Sequence, residues 1–163
     1  MTNMTGQFST GSAARDFILA GNARVTLVSQ KSGARFTFRV AVPKKAEPGC
    51  PHFVSLLSGS DNESAYTFLG SIFTERKYAQ GSNDASAYTT EHTYRHGKKS
   101  KISPAAPSAK AWGWAWSYLS RGELPPGCEV WHEGRCGCCN RALTVPESIA
   151  TGIGPICAEK LAA

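Results

Sequence analysis

From Arg24 to Val42 the chain alternates between apolar and polar positions. Val25 and Leu27 fall on one side of Arg24–Ser29, and Phe36, Phe38, Val40 and Val42 on one side of the segment that starts at Arg35. Arg35, Thr37 and Arg39 fall on the other side. A period of two predicts strands half-buried on one face. Gln30-Lys-Ser-Gly33 between them predicts a hairpin turn. His52–Ser58 and Ala65–Thr74 read as a third and fourth strand, joined by a turn over Gly59–Ser64 with an acidic centre at Asp61 and Glu63. Glu75 to Thr90 is polar, with a loop tip over Gly81–Ser86 and a short further strand around Tyr94. These elements form an antiparallel meander of roughly four or five strands. Ahead of them, Ser12 is placed to cap a short helix, Ala13–Ala20, ended by Gly21, and residues 1–11 read as disordered.

The pattern then changes period. Ala109-Lys-Ala-Trp-Gly-Trp-Ala-Trp-Ser-Tyr-Leu-Ser-Arg121 predicts a helix, started by Ser103-Pro104 or by Pro107-Ser108 and stopped at Gly122. At ~100° per residue, Trp112, Ala115, Trp116 and Leu119 share a face that belongs against the sheet. Lys110, Trp114, Ser117, Tyr118 and Arg121 share the opposite face. Aromatics interleaved with cations suit base stacking and phosphate contact. The competing expectation is that Trp114 and Tyr118 are buried against the cysteine-rich segment that comes next in the chain.

A rigid linker, Glu123-Leu-Pro-Pro-Gly127, leads from the helix to a strand at Cys128–Trp131, which enters that segment. Cys136 and Cys139 form a Cys-x-x-Cys knuckle, with Gly137 supplying freedom in φ for the turn. Cys157 lies downstream after Gly154-Pro155, at the start of a short helix over Pro155–Leu161. Thiolate sulfur and imidazole nitrogen are preferred ligands of Zn²⁺, and a structural site takes four of them tetrahedrally. His132, four residues before Cys136, is the fourth ligand of choice, with Cys128 and Cys138 as rivals. A catalytic zinc needs an open position and an oriented base. Glu133 is the only candidate base and nothing orients it, so one structural zinc is expected. Thr144-Val-Pro-Glu147 has capping-box spacing and predicts a turn or two of helix from Pro146.

The segment Arg135-Cys-Gly-Cys-Cys-Asn-Arg-Ala-Leu-Thr-Val-Pro-Glu-Ser-Ile-Ala-Thr-Gly-Ile-Gly-Pro-Ile-Cys157 resembles a short zinc-binding family of unknown function found in bacteriophage and bacterial proteins. Cys136, Cys139 and Cys157 fall on the family's cysteines. Leu143, Thr144, Pro146, Glu147, Ser148, Gly152, Gly154 and Pro155 fall on its other marked positions. Asn140 stands where the family usually has Gly, and Cys138 is an extra thiol inside the knuckle. The likeness covers about the last thirty residues. It implies a zinc site and a phage or mobile-element origin, and no activity.

The overall expectation is an α+β fold: a β-meander packed by a Trp-rich helix over residues 12–122, and a zinc-finger module over 123–163. The chain is long enough to bury a core without metal, but the finger is not, and zinc is expected to fold it. The N-terminus is polar and no stretch reaches the ~20 apolar residues of a membrane span. A reducing cytoplasm, that of the host cell for a phage protein, is therefore expected, with the cysteines as ligands or free thiols.

Net charge is +6. That argues against an acidic DNA mimic and favours anionic partners. From His92 to Gly122 there is no Asp or Glu, and Arg95, Lys98, Lys99, Lys101, Lys110 and Arg121 carry the whole net charge. No nucleophile–base set, phosphate loop or dinucleotide fingerprint occurs, so neither an enzyme nor a small-molecule substrate is expected. The expected function is nucleic-acid binding, single strands favoured, through those six cations with Trp114 and Tyr118. The alternative is an accessory protein that inhibits or redirects a host or defence protein.

Overall fold

The computed structural model of the chain describes residues 6–47, 49–60, 64–78, 88–144 and 146–162. The turn at Asp61–Glu63 and the loop tip at 81–86 lie outside the described residues. The fold is α+β. Its centre is a six-stranded antiparallel sheet of order β5-β4-β3-β2-β1-β6. The strands are β1 (Asn22–Ser29), β2 (Arg35–Ala41), β3 (His52–Leu57), β4 (Tyr66–Tyr78), β5 (Tyr88–His96) and β6 (Cys128–His132). The helices are α1 (Gly11–Ile18), α2 (Pro107–Leu119), α3 (Pro146–Thr151) and α4 (Pro155–Ala162).

The hairpin forms in the expected register, with Val25 opposite Phe38 and Leu27 opposite Phe36. Side chains alternate across a strand, so Ala23, Val25, Leu27, Phe38, Val40, Val54 and Ile72 gather on one face and are buried there. Phe17 and Ile18 of α1 and Trp112, Trp116 and Leu119 of α2 complete this core. The apolar stripe of α2 is therefore inward, as its periodicity requires. Trp112 sits 4.8 Å from the Phe38 ring, and Trp112 and Trp116 stack at 5.9 Å. The Trp116 indole N–H donates to the His92 carbonyl at 3.0 Å, pinning α2 over β5.

Four expectations are corrected. β5 is a nine-residue strand rather than a short one, because β4 offers it a long edge from Gly70 to Tyr78. β6 does not merely lead into the finger. It pairs with β1 from Val25–His132 to Ser29–Cys128 and is the sixth strand of the sheet. Residues 6–8 are ordered: Gln7 bridges Trp131, and Phe8 is 2% exposed in the core. α1 begins earlier than expected, with Thr10 rather than Ser12 capping it by accepting from the Ala13 N–H at 3.2 Å. α2 starts with Pro107 in the first turn, where a missing N–H costs nothing. Among the described residues no helix is long and apolar enough to cross a membrane.

Candidate functional site

The sheet delivers the chain into the cysteine segment through β6. Beyond it a small bridge, Arg135 to Ala142, closes a tight turn. The Cys136 N–H donates to the Arg141 carbonyl at 2.8 Å and the Asn140 N–H to the Cys136 carbonyl at 2.9 Å. Asn140 takes φ 65°, a left-handed conformation that Asn adopts more readily than other side chains. That conformation explains why Gly is at home at this position. Gly137 is needed for a different reason from the one expected. A Cβ there would lie 2.7 Å from the Phe17 ring, and one at Gly152 would lie 2.5 Å from it. Both glycines let the segment close down on α1, and the Gly137 carbonyl takes the Asn22 N–H at 2.7 Å.

This turn and the first turn of α4 bring three thiols together. The sulfurs of Cys136, Cys139 and Cys157 all lie within 4.8 Å of one another. Thiolates around a tetrahedral zinc are about 3.8 Å apart, given Zn–S bonds of about 2.3 Å. The donor set therefore fits a thiophilic ion after a small contraction. Cys136 and Cys157 are buried and Cys139 is exposed. Burial alone would push the Cys136 thiol up. Backbone N–H groups of Gly154, Cys139 and Cys138 outweigh it by donating to the sulfur, and hold it down at about 7. The Gly154 and Cys138 N–H groups stand 3.3 and 3.4 Å from that sulfur. Such donors stabilise the anionic form a metal requires. Cys157 is pushed the other way by burial and by hydrogen bonds with the thiols of Cys139, Cys138 and Cys136. A metal would take the place of that shared proton. Beside the thiols is a cavity of about 440 Å³, bordered by Leu143, Ile156 and Lys160.

The structure does not bring His132 to these thiols. Its ring is 3% exposed, between Phe8 at 5.3 Å and Phe17 at 5.6 Å. Nδ1 accepts the Gly134 N–H at 2.9 Å and Nε2 donates to the Ile149 carbonyl at 2.5 Å. Burial lowers its pKa, with the Ile149 carbonyl pulling weakly the other way, so a neutral ring fits both bonds. Both nitrogens are committed to tying β6 to α3. The alternation of β6 held the clue, since Val130 and His132 share its inward face. Cys128 is also elsewhere, paired with Ser29 in the sheet. Cys138 is outside the mutually close trio.

Residues 131–162 match the model of a family of unknown function, DUF6011. The matched segment holds all three clustered thiols and both short helices. No curated protein and no solved structure matches the chain. The matched segment thus carries a possible metal site, and the family model does not extend over the 130 residues before it.

The candidate nucleic-acid residues fall into three places. Trp114 is 44% exposed and meets Tyr118 edge-to-face at 5.5 Å. The Arg121 guanidinium lies over the Tyr118 ring at 5.2 Å, while also pairing with Glu123 at 3.1 Å. Lys110 is exposed one turn before Trp114. Lys110, Trp114 and Tyr118 share the outer face of α2, with Arg121 just beyond its end, and the exposed Trp114 is not enclosed by the matched segment. Trp114 instead borders a groove of about 310 Å³ with Leu27, Phe36 and Pro126. The pattern of α2 alone held no sign of that groove. Lys98, Lys99 and Lys101 are exposed in the loop after β5. Ser100 anchors that loop to the Phe68 carbonyl at 2.7 Å, and His96 to that of Ile102 at 2.8 Å. Arg95 points away from α2, over the Phe73 ring at 6.0 Å on the other side of the sheet.

The remaining histidines serve the backbone or a neighbouring strand. His52 Nε2 meets the Leu19 carbonyl at 3.0 Å, and His92 Nδ1 meets the Thr74 hydroxyl at 2.9 Å.

Proposed function

We propose that the chain binds single-stranded nucleic acid, and that a zinc ion held by Cys136, Cys139 and Cys157 folds its C-terminal segment. The observation that carries the binding reading is the outer face of α2. An exposed Trp114, the Tyr118 ring and the stacked Arg121 form a row of π-surfaces and cations. Base stacking on aromatic rings contributes roughly 1–3 kcal/mol per base and tolerates any sequence. Lys98, Lys99, Lys101 and Lys110 would add phosphate contacts at the N-terminal end of the same helix.

The zinc is structural in this reading. Cys138, between Cys136 and Cys139 in the knuckle, is the thiol this reading assigns to complete the set. Bound zinc would hold the knuckle against α4 and neutralise thiolate charge. Cobalt substitution tests it: a tetrahedral thiolate spectrum that weakens in Cys138→Ser assigns the fourth ligand, and a spectrum unchanged in that variant excludes it.

The binding test is fluorescence anisotropy with labelled single-stranded DNA, single-stranded RNA and duplex DNA across a salt series. The expected result is single-strand affinity that falls steeply with salt and drops at least tenfold in Trp114→Ala/Tyr118→Ala. No single-strand binding at low salt overturns the reading. The groove beside Trp114 favours a second reading, a protein contact with a host factor. Its signature is a stable complex that Trp114→Ala abolishes and that salt barely weakens.

A further inference from the structure

The core face of the sheet is covered by α1 and α2, but the other face carries its own chemistry. Arg24 on β1 stands directly opposite Arg39 on β2. Both guanidiniums lie over one ring, Tyr66 on β4, at 5.9 and 5.5 Å. Like charges placed directly opposite each other destabilise a strand pair. The shared Tyr66 ring gives both guanidiniums a cation–π contact on that face, which offsets part of that cost. Arg24 is itself buried, with Glu133 at 3.9 Å, whereas Arg39 and Arg95 have no ion pair among the described residues.

The same face is aromatic. Phe53 on β3 and Phe68 on β4 meet edge-to-face at 6.3 Å, and Phe73 lies farther along β4 under Arg95. Phe53 and Phe73 are among the large apolar side chains that remain exposed. Rings on a sheet face, flanked by arginines, offer flat partners for unstacked bases and charge for the backbone between them. A duplex hides its bases from such a surface, and an acidic polypeptide has no use for the rings.

We infer that this open sheet face is a binding platform for single-stranded nucleic acid, with Phe53, Phe68 and Phe73 stacking bases and Arg39 and Arg95 contacting phosphates. It rests on the single-strand reading above and adds a track on the opposite side of the sheet from α2. Arg95 extends the face at β5, and the loop with Lys98, Lys99 and Lys101 comes directly after it in the chain.

The test uses the zinc-loaded full chain with labelled oligo(U) and oligo(dT) of about 12 nucleotides, within the usual site size of a single-strand binder. Arg39→Ala/Phe73→Ala, and separately Phe73→Ala/Arg95→Glu, are expected to weaken binding at least tenfold with circular dichroism unchanged. Photocrosslinking of 4-thiouridine-containing oligo(U) to the unaltered protein is expected to mark peptides holding Phe53 and Phe68–Phe73. This arm needs no variant to fold. Variants that bind as well as the parent, with crosslinks confined to α2, overturn the platform and leave the single-strand reading standing. Displacement of the oligonucleotide by polyglutamate as readily as by unlabelled oligo(U) overturns it too, since charge alone would then explain binding. Absence of any single-strand binding at low salt overturns both.

Discussion

The sheet half and the DUF6011 segment meet the entropy cost of folding by different means. In residues 6–132 the cost is offset by burial: Phe17, Phe38, Trp112, Trp116 and their neighbours form one continuous apolar core. From Glu133 onward the buried side chains are few, chiefly Cys136, Ser148 and Cys157, while Ile156 and Leu161 are 62% and 53% exposed. That stretch keeps its shape through backbone hydrogen bonds, close glycine contacts with Phe17 and a cluster of thiols. The difference teaches where a metal matters: a segment without a core of its own needs a ligand set to replace one.

The largest effect should come from removing that set. If the proposed zinc is bound there, Cys136→Ser, or chelation, forfeits binding free energy on the order of 10 kcal/mol. Hydrogen exchange should show protection lost over residues 134–162 and retained in β1–β4. Loss of protection throughout would mean the two halves are one cooperative unit. The converse break is Trp112→Ala, which removes a fully buried ring against Phe38 and should cost about 3–5 kcal/mol. Denaturant titration should register it in the sheet, while zinc content at low denaturant stays the same.

Phe17 belongs to both sides of the comparison. It packs in the core and lies under Gly137 and Gly152. Phe17→Ala should cost about 3 kcal/mol and move both transitions together, whereas Trp112→Ala moves one. A finer probe is Asn140. Asn140→Ala should cost roughly 1–2 kcal/mol because Ala resists a positive φ. Asn140→Gly should stay within about 0.5 kcal/mol, and thermal melting of the zinc-loaded protein separates the two.

The smallest effect per unit of change is that of pH. Burial lowers the pKa of His52, His92 and His132, in His92 with help from Arg15. The unfolded chain therefore takes up protons near 6.5 while the native one resists. Stability is full above that value and declines as pH falls below it. The midpoint of denaturant unfolding, followed by tryptophan fluorescence, should drop between pH 7.5 and 5.5 and drop less in His52→Gln.

Much of the architecture is legible in the sequence because it rests on short-range periodicity. Alternation places β1 and β2, and the spacing of Trp112, Ala115, Trp116 and Leu119 places the inward stripe of α2. The knuckle and Cys157 are legible because metal spacing is local. β5 reads as too short because Thr89, Thr90, Glu91 and Thr93 give it no apolar alternation, its neighbour β4 supplying the pairing instead. The place of β6 and of Phe8 depends on pairing with β1 and on the packing of Phe17, contacts that span a hundred residues of chain. Nearness to Cys136 in sequence points to His132 as a ligand, whereas strand alternation turns it inward toward Phe8 and Phe17. The arginine pair under Tyr66 needs the strand register, which no single strand contains.

The DUF6011 match begins at Trp131, and β6 runs from Cys128 to His132. The family boundary therefore falls inside a strand. A fragment cut there would carry the thiols but leave behind the sheet edge that holds their base and the Phe17 ring that fills the space under Gly137 and Gly152. The segment is not a cassette that can be lifted from this protein and fused elsewhere at will. A recipient scaffold would have to offer a free strand edge and an aromatic socket beside it, and a graft that includes the whole of β6 should succeed where one cut at Trp131 does not.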